Sequence, residues 1–195
     1  MKKVIFAVVS ILLFFESNSY SKEVDNEILF IRKHYSKINQ NLKKYKKLEF
    51  LDIGLYKDIN PARYSVEGSK LYNVAMINSY KYFDHNSIRK IVVTFNSQDD
   101  FQQSEYYVWN DQLFFVFKSR TTFLKPRWSN DLTEDDKAIL ENRYYISNNK
   151  LIRWLDPKKQ EVTNEKKLAI EEKTLMQDFE TYLTINNNDI GPLAK

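Results

Sequence analysis

Apolar and polar positions recur along this chain with two different periods. Between residues 24 and 48 the period is helical. Val24, Ile28, Ile31, Tyr35, Ile38, Leu42 and Tyr45 advance by fours and threes and draw one unbroken stripe. Asp25 and Glu27 open the segment, and Lys43, Lys44, Lys46 and Lys47 close it, an order that complements the helix macrodipole. The spacing predicts a helix over 24–48 whose apolar stripe packs on a sheet. A membrane-surface helix and a short coiled-coil seam are the alternatives. A second long helix is predicted from a cap at Thr163 or Asn164 to about Ile185, with Leu168, Leu175, Phe179, Tyr182 and Leu183 along one side.

Between the helices the period falls to two. The stretch Glu141–Asp156, ENRYYISNNKLIRWLD, reads as a β-hairpin: a β-rich run, two asparagines and a second β-rich run. A close copy, EYYVWNDQLFFVF, spans Glu105–Phe117, and a diverged one, YKYFDHNSIRKIVV, spans Tyr80–Val93. Aligned on Ile88, Leu113 and Leu151, their turns centre on His85-Asn86, Asn110-Asp111 and Asn148-Asn149. These residue types tolerate the left-handed backbone that a tight hairpin needs. Two-residue turns place Tyr107 opposite Phe114 and Tyr145 opposite Ile152. The chain therefore reads as α+β: an antiparallel meander of about six strands with long N- and C-terminal helices packed on it.

Elsewhere the pattern is weaker. Gly54 to Gly68 reads as a loop, and Leu71–Ile77 has some strand character. Ser119–Leu132 reads as a loop carrying Arg120, Lys125, Arg127 and Trp128, and Thr133 caps a short helix with Asp136 at its third position.

Composition adds a location. Lys2 and Lys3 precede an apolar run, Val4–Phe15, too short to span a bilayer, and small polar residues follow. This pattern predicts a secretory signal peptide over 1–21, one α+β domain over 22–186 and a flexible tail over 187–195. An uncleaved anchor helix is the alternative. Cleavage leaves no stable membrane span, and the expected location is periplasmic or secreted. The chain has no cysteine, so the exported domain relies on its core rather than on disulfides. A formal charge of +4 is too small to argue for nucleic acid.

No nucleophile elbow, phosphate loop or dinucleotide fingerprint occurs, and only three glycines are present to build one. His34 and His85 have no ligand spacing with each other, so neither a metal nor another cofactor is expected. Asp99-Asp100 and Asp135-Asp136 fit a loop and a helix start.

The chemistry that stands out is aromatic. With strict alternation, one face of the hairpins carries Tyr106, Val108, Leu113, Phe115 and Phe117, a dry core face. The other carries Tyr107, Trp109, Tyr145 and Trp154 mixed with charge. Two readings stand: a terminal helix covers the second face, or it is an open platform for a ligand. In the platform reading the binding residues are Tyr107, Trp109, Tyr145 and Trp154, with Arg143, Arg127 and Trp128 at the edge. Glu105 and Arg143 pair across it. The candidate partners are a glycan, a peptide or an envelope protein.

The runs RYYISNNKLIRWLD and EYYVWNDQLFFVF resemble a group of exported bacterial proteins of unassigned function, whose recurring unit is an aromatic pair, a tight turn and Lys-Leu. The resemblance covers about Tyr80–Val162, departs at the turns, which lack Gly, and implies an envelope location and a helix-plus-meander build without site residues. The expected function is a non-catalytic binding or interaction module. The alternatives are a small hydrolase of envelope polymers, which needs two facing carboxylates, and a secreted enzyme inhibitor using the Arg120–Trp128 loop.

Overall fold

The computed structural model describes residues 24–51, 76–96, 100–125 and 129–184. The predicted signal peptide, the Gly54–Gly68 loop, Arg127, Trp128 and the tail lie outside the described residues.

The strand-period segments form one antiparallel sheet of seven strands in chain order. They are β1 (Lys46–Leu51), β2 (Met76–Asp84), β3 (Ser87–Asn96), β4 (Asp100–Trp109), β5 (Gln112–Phe123), β6 (Lys137–Ser147) and β7 (Lys150–Leu155). Helix α1 covers residues 24–41 and helix α2 spans Glu165–Thr184. The architecture is α+β, with one helix on each face of the sheet.

One strand more than expected is present, and it comes from the far end of the predicted first helix. That helix stops at residue 41, passes through a 3-10 turn at Leu42–Lys44 and gives way to β1. Asn41 ends it by donating its side-chain amide to the carbonyl of Lys37 at 2.8 Å. Beyond it, Lys47, Leu48 and Glu49 alternate with the strand period and pair with β2. The lysines expected to close a helix therefore lie in the 3-10 turn and on an edge strand.

The three hairpin turns fall where the sequence places them. Asn110 and Asp111 have φ of 49° and 59°, Asn148 and Asn149 have 51° and 61°, and His85 has 55°. At Asn110-Asp111 and Asn148-Asn149 both central residues have positive φ, the geometry whose twist matches paired strands, whereas in the first turn only His85 does. The pairing beyond the turns differs from the expectation. Each hairpin inserts a bulge on its second strand, at Arg89, Phe114 and Ile152, three residues after its turn. Tyr107 is thus opposite Phe115, and Tyr145 is opposite Arg153. A bulge places two successive side chains on one face and inverts the alternation that follows.

The inversion resorts the two faces. Ile91, Tyr106, Val116 and Tyr144 form a core with Leu175, Phe179 and Tyr182 of α2, and Trp154 packs against it. Phe114, Phe115, Tyr107 and Tyr145 form a second core with Ile28, Ile31 and Ile38 of α1, joined by Phe117 and Leu155. Burying each such isoleucine or leucine contributes ~1.5–3 kcal/mol, which anchors both helices.

Polar contacts fix where the helices cross. At its start α1 meets β6, where Ser147 Oγ donates to Glu27 at 3.0 Å, and near its end Asn39 meets Lys90 of β3. Helix α2 starts by β7, where Glu172 accepts the Leu151 amide at 2.7 Å. It ends over β2, where the Lys81 ammonium donates to the Leu183 carbonyl at 3.0 Å. The last turn of α2 has no basic residue of its own. Buried Lys81 supplies the cation that the helix C-terminus favours. At the start of α2, Asn164 accepts the Lys167 amide at 3.0 Å, the expected cap.

Candidate functional site

The bulges build a row of large side chains across the α1 face. Tyr82, Lys90, Tyr107, Phe115, Tyr145 and Arg153 are consecutive partners from β2 to β7. Helix α1 lies on the middle of this row. Tyr107 is 0% exposed and Tyr145 is 6% exposed. Tyr35 of α1 packs on the rings of Tyr107 and Phe115, with centroids 4.9 and 5.2 Å apart. These rings are core, and the helix-covered reading of the aromatic face is the one observed.

Within that core sits a polar cluster. Lys90 and Glu105 form an ion pair at 2.9 Å with side chains only 6% and 13% exposed. The Tyr107 hydroxyl donates to Glu105 at 2.5 Å and lies 3.2 Å from Asn39 Oδ1. Gln103 donates to the other Glu105 oxygen at 2.7 Å, and Lys90 also reaches Asn39 at 3.4 Å. Burial lowers the Lys90 pKa while Glu105 pulls it back up. Burial and the neighbouring Glu105 carboxylate push the Tyr107 pKa well above its ordinary value. The cluster ties α1 to β3 and β4 and is satisfied internally, so it presents no open acid or base.

Trp109 lies at the turn end of β4, where the cover of α1 is incomplete. It is half-buried. The His34 ring stands 4.3 Å from it, and Phe30 stands 3.9 Å from His34. The Lys37 ammonium lies 4.8 Å and the Arg89 guanidinium 4.5 Å from the Trp109 ring centroid. Both are within reach of a cation–π attraction. Arg89 reaches the ring because it is the bulged residue of the first hairpin, and Asp84 holds it at 3.3 Å. Phe30 is 43% exposed, so the cluster opens to solvent. Phe30, His34 and Lys37 advance by four and three residues. That second stripe beside the core stripe was a signal present in the sequence.

The remaining residues of the sequence-derived platform are elsewhere. Trp154 lies on the opposite face, 5.4 Å from the Tyr144 ring, with its indole N–H donated to Asn142 at 2.9 Å. Trp109 and Trp154 therefore share no patch. Phe117 separates Glu105 from Arg143 in the register, so these two do not pair. Arg143 instead binds Glu141 at 2.6 Å. The expected basic loop is shorter than the sequence suggested. Arg120 lies within β5 and pairs with Asp100 at 3.0 Å. Lys125 pairs with Asp131 and Asp136, each at 3.2 Å. Thr133 and Asp136 form the expected capping box, but it starts a 3-10 turn of three residues that runs directly into β6.

Among the described residues, no three His, Asp or Glu side chains converge as a metal site. Among them also, no helix is long and apolar enough to cross a membrane. Comparison of the chain with family models, curated proteins and solved structures finds no match.

Proposed function

We propose that the protein is an exported, non-catalytic binding module whose contact surface is centred on Trp109. The observation that carries this reading is the half-buried indole flanked by His34, Lys37 and Arg89, with exposed Phe30 beside it. A rigid aromatic with adjacent cations suits a partner that offers an apolar or sugar face together with acidic groups. Lys37 is exposed and supplies charge to such a partner. Glycan, peptide and envelope protein all remain within this class, and export rests on the predicted signal peptide. Tyr107 and Tyr145 serve the surface by seating α1, while Arg143 and Trp154 lie outside it.

The test is cosedimentation of the purified protein with peptidoglycan sacculi and, separately, binding to the solubilised envelope-protein fraction. Trp109→Ala and Lys37→Glu should each weaken the interaction by at least about tenfold. Lys37→Glu should lower the melting temperature only slightly, because Lys37 is solvent-exposed and gives up one exposed cation–π contact with Trp109. Binding that both variants retain in full would contradict the assignment.

A further inference from the structure

The geometry points to a second interface, independent of Trp109: the open edge of β6 pairs with the same edge of a second copy of this chain. Strand β6 covers Lys137–Ser147, but β7 pairs with it only from Arg143 to Ser147. From Lys137 to Asn142 it is bonded to β5 on one side, and among the described residues no strand lies on the other. The exposed stretch is apolar at its centre, with Ile139 58% and Leu140 49% exposed. Open edges of this kind template pairing with another chain unless charge or proline blocks them.

The register follows from the hydrogen-bond parity. The two-residue turn at Asn148-Asn149 makes Ser147 and Lys150 a bonded pair. Bonding alternates along an antiparallel strand. The odd-numbered residues of β6 therefore direct N–H and C=O away from β5, and at the open edge these are Lys137, Ile139 and Glu141. A two-fold axis through Ile139 sets Ile139 against Ile139, and Lys137 of each copy against Glu141 of the other. All three pairs are of the bonded kind: Ile139 against Ile139 exchanges two backbone hydrogen bonds, and each end pair makes one, from the Glu141 amide to the Lys137 carbonyl, because the Lys137 amide already donates to the Glu134 carbonyl. Opposite charges then meet at both ends, with Ala138 beside Leu140 on the other face. A two-fold axis through Glu141 would oppose two carboxylates. One through Leu140 would set Lys137 against Arg143, which β7 already occupies. An axis through Ala138 would bring Asp135 to Glu141. Only the Ile139 axis satisfies both charge and parity, as a self-complementary interface requires.

The ends of the strand also fit. In this register the partner's Glu134–Asp136 turn leaves the sheet where β7 finishes at Leu155. Lys137 and Glu141 hold intrachain partners, Glu134 and Arg143, so the crossed pairs are shared contacts within a small charge network. The product is a continuous sheet through both copies.

Sedimentation-velocity measurements across the micromolar to millimolar range test this. The wild-type protein should show a concentration-dependent dimer. Lys137→Glu and Glu141→Lys should each be monomeric alone, because each opposes like charges at both ends, and an equimolar mixture of the two should dimerise again. Ile139→Pro should be monomeric with an unchanged circular dichroism spectrum, since that amide points away from β5. A wild type that stays monomeric throughout would overturn the interface. So would single variants that dimerise as the wild type does, or a mixture that fails to recover.

Discussion

Removing one member of the buried Lys90–Glu105 pair should destabilise the fold far more than removing both. Lys90→Met deletes the ammonium 2.9 Å from Glu105 and leaves the carboxylate under α1 without its counter-charge. Stranding one partner of a buried pair costs ~3–5 kcal/mol. The hydrogen bonds from Tyr107 and Gln103 remain and hold the carboxylate, so the lower end, ~3 kcal/mol, applies here. For a chain of this size that corresponds to a fall of ~6–12 °C in melting temperature. Glu105→Gln alone strands the ammonium instead. With the Glu105 carboxylate gone, its opposing pull on the burial effect is lost, and the Lys90 pKa falls further. The folded protein then binds fewer protons than the unfolded chain at alkaline pH. Stability therefore rises with pH as Lys90 deprotonates, up to the unfolded value of 10.5. Lys90→Met with Glu105→Gln removes both charges, keeps one acceptor oxygen for the Tyr107 hydroxyl and turns an amide N–H toward Gln103, whose own amide can flip to accept it, so it should lie within ~1 kcal/mol of wild type. Urea unfolding followed by circular dichroism gives the four corners of this cycle. A Lys90→Met cost below ~1 kcal/mol, or strictly additive singles, would show that the two charges are not coupled beneath α1.

Three further outcomes are expected. Asn149→Gly should be neutral or stabilising because Asn149 sits at φ 61°, whereas Asn149→Val should cost ~1–2 kcal/mol; equal melting midpoints would contradict the turn. Tyr107 and Tyr144, their pKa values raised above 10.0 by burial first and by a neighbouring carboxylate second, should stay protonated in the folded state. The unfolded chain ionises them near pH 10, so their stabilising contribution is complete below that pH and declines above it; tyrosinate absorption from these two should appear only with unfolding. Mass spectrometry of protein recovered from the native envelope should find a mature N-terminus between Tyr20 and Lys22, and an intact Met1 would rule out cleavage.

The parts of the fold visible in the sequence were those set by local chemistry. The α1 stripe needs only the helical period, and Ile28, Ile31 and Ile38 are buried as that period requires. The turns at Asn110-Asp111 and Asn148-Asn149 need only residues that accept positive φ. The faces beyond the turns depended on the bulges at Arg89, Phe114 and Ile152. No residue type marks a bulge in these runs, because Phe and Ile suit a regular strand equally well. One inserted residue per hairpin moved Trp154 to the α2 face and brought Phe115 under α1. The candidate site was half legible for the same reason. Trp109 precedes its hairpin's bulge and stayed on the α1 face. Its companions Lys37 and Arg89 reach it only through helix docking and a bulge, which strand alternation does not encode.

Helix α1 seals the aromatic face and leaves Trp109 as its accessible ring. Hydroxyl-radical footprinting of the folded protein, read residue by residue by mass spectrometry, measures this directly. Trp109 and Phe30 should be oxidised readily, while Tyr107 and Tyr145 should be protected until the protein is unfolded. Oxidation of Tyr107 and Tyr145 at rates matching Trp109 in the native state would contradict the account and restore the open platform.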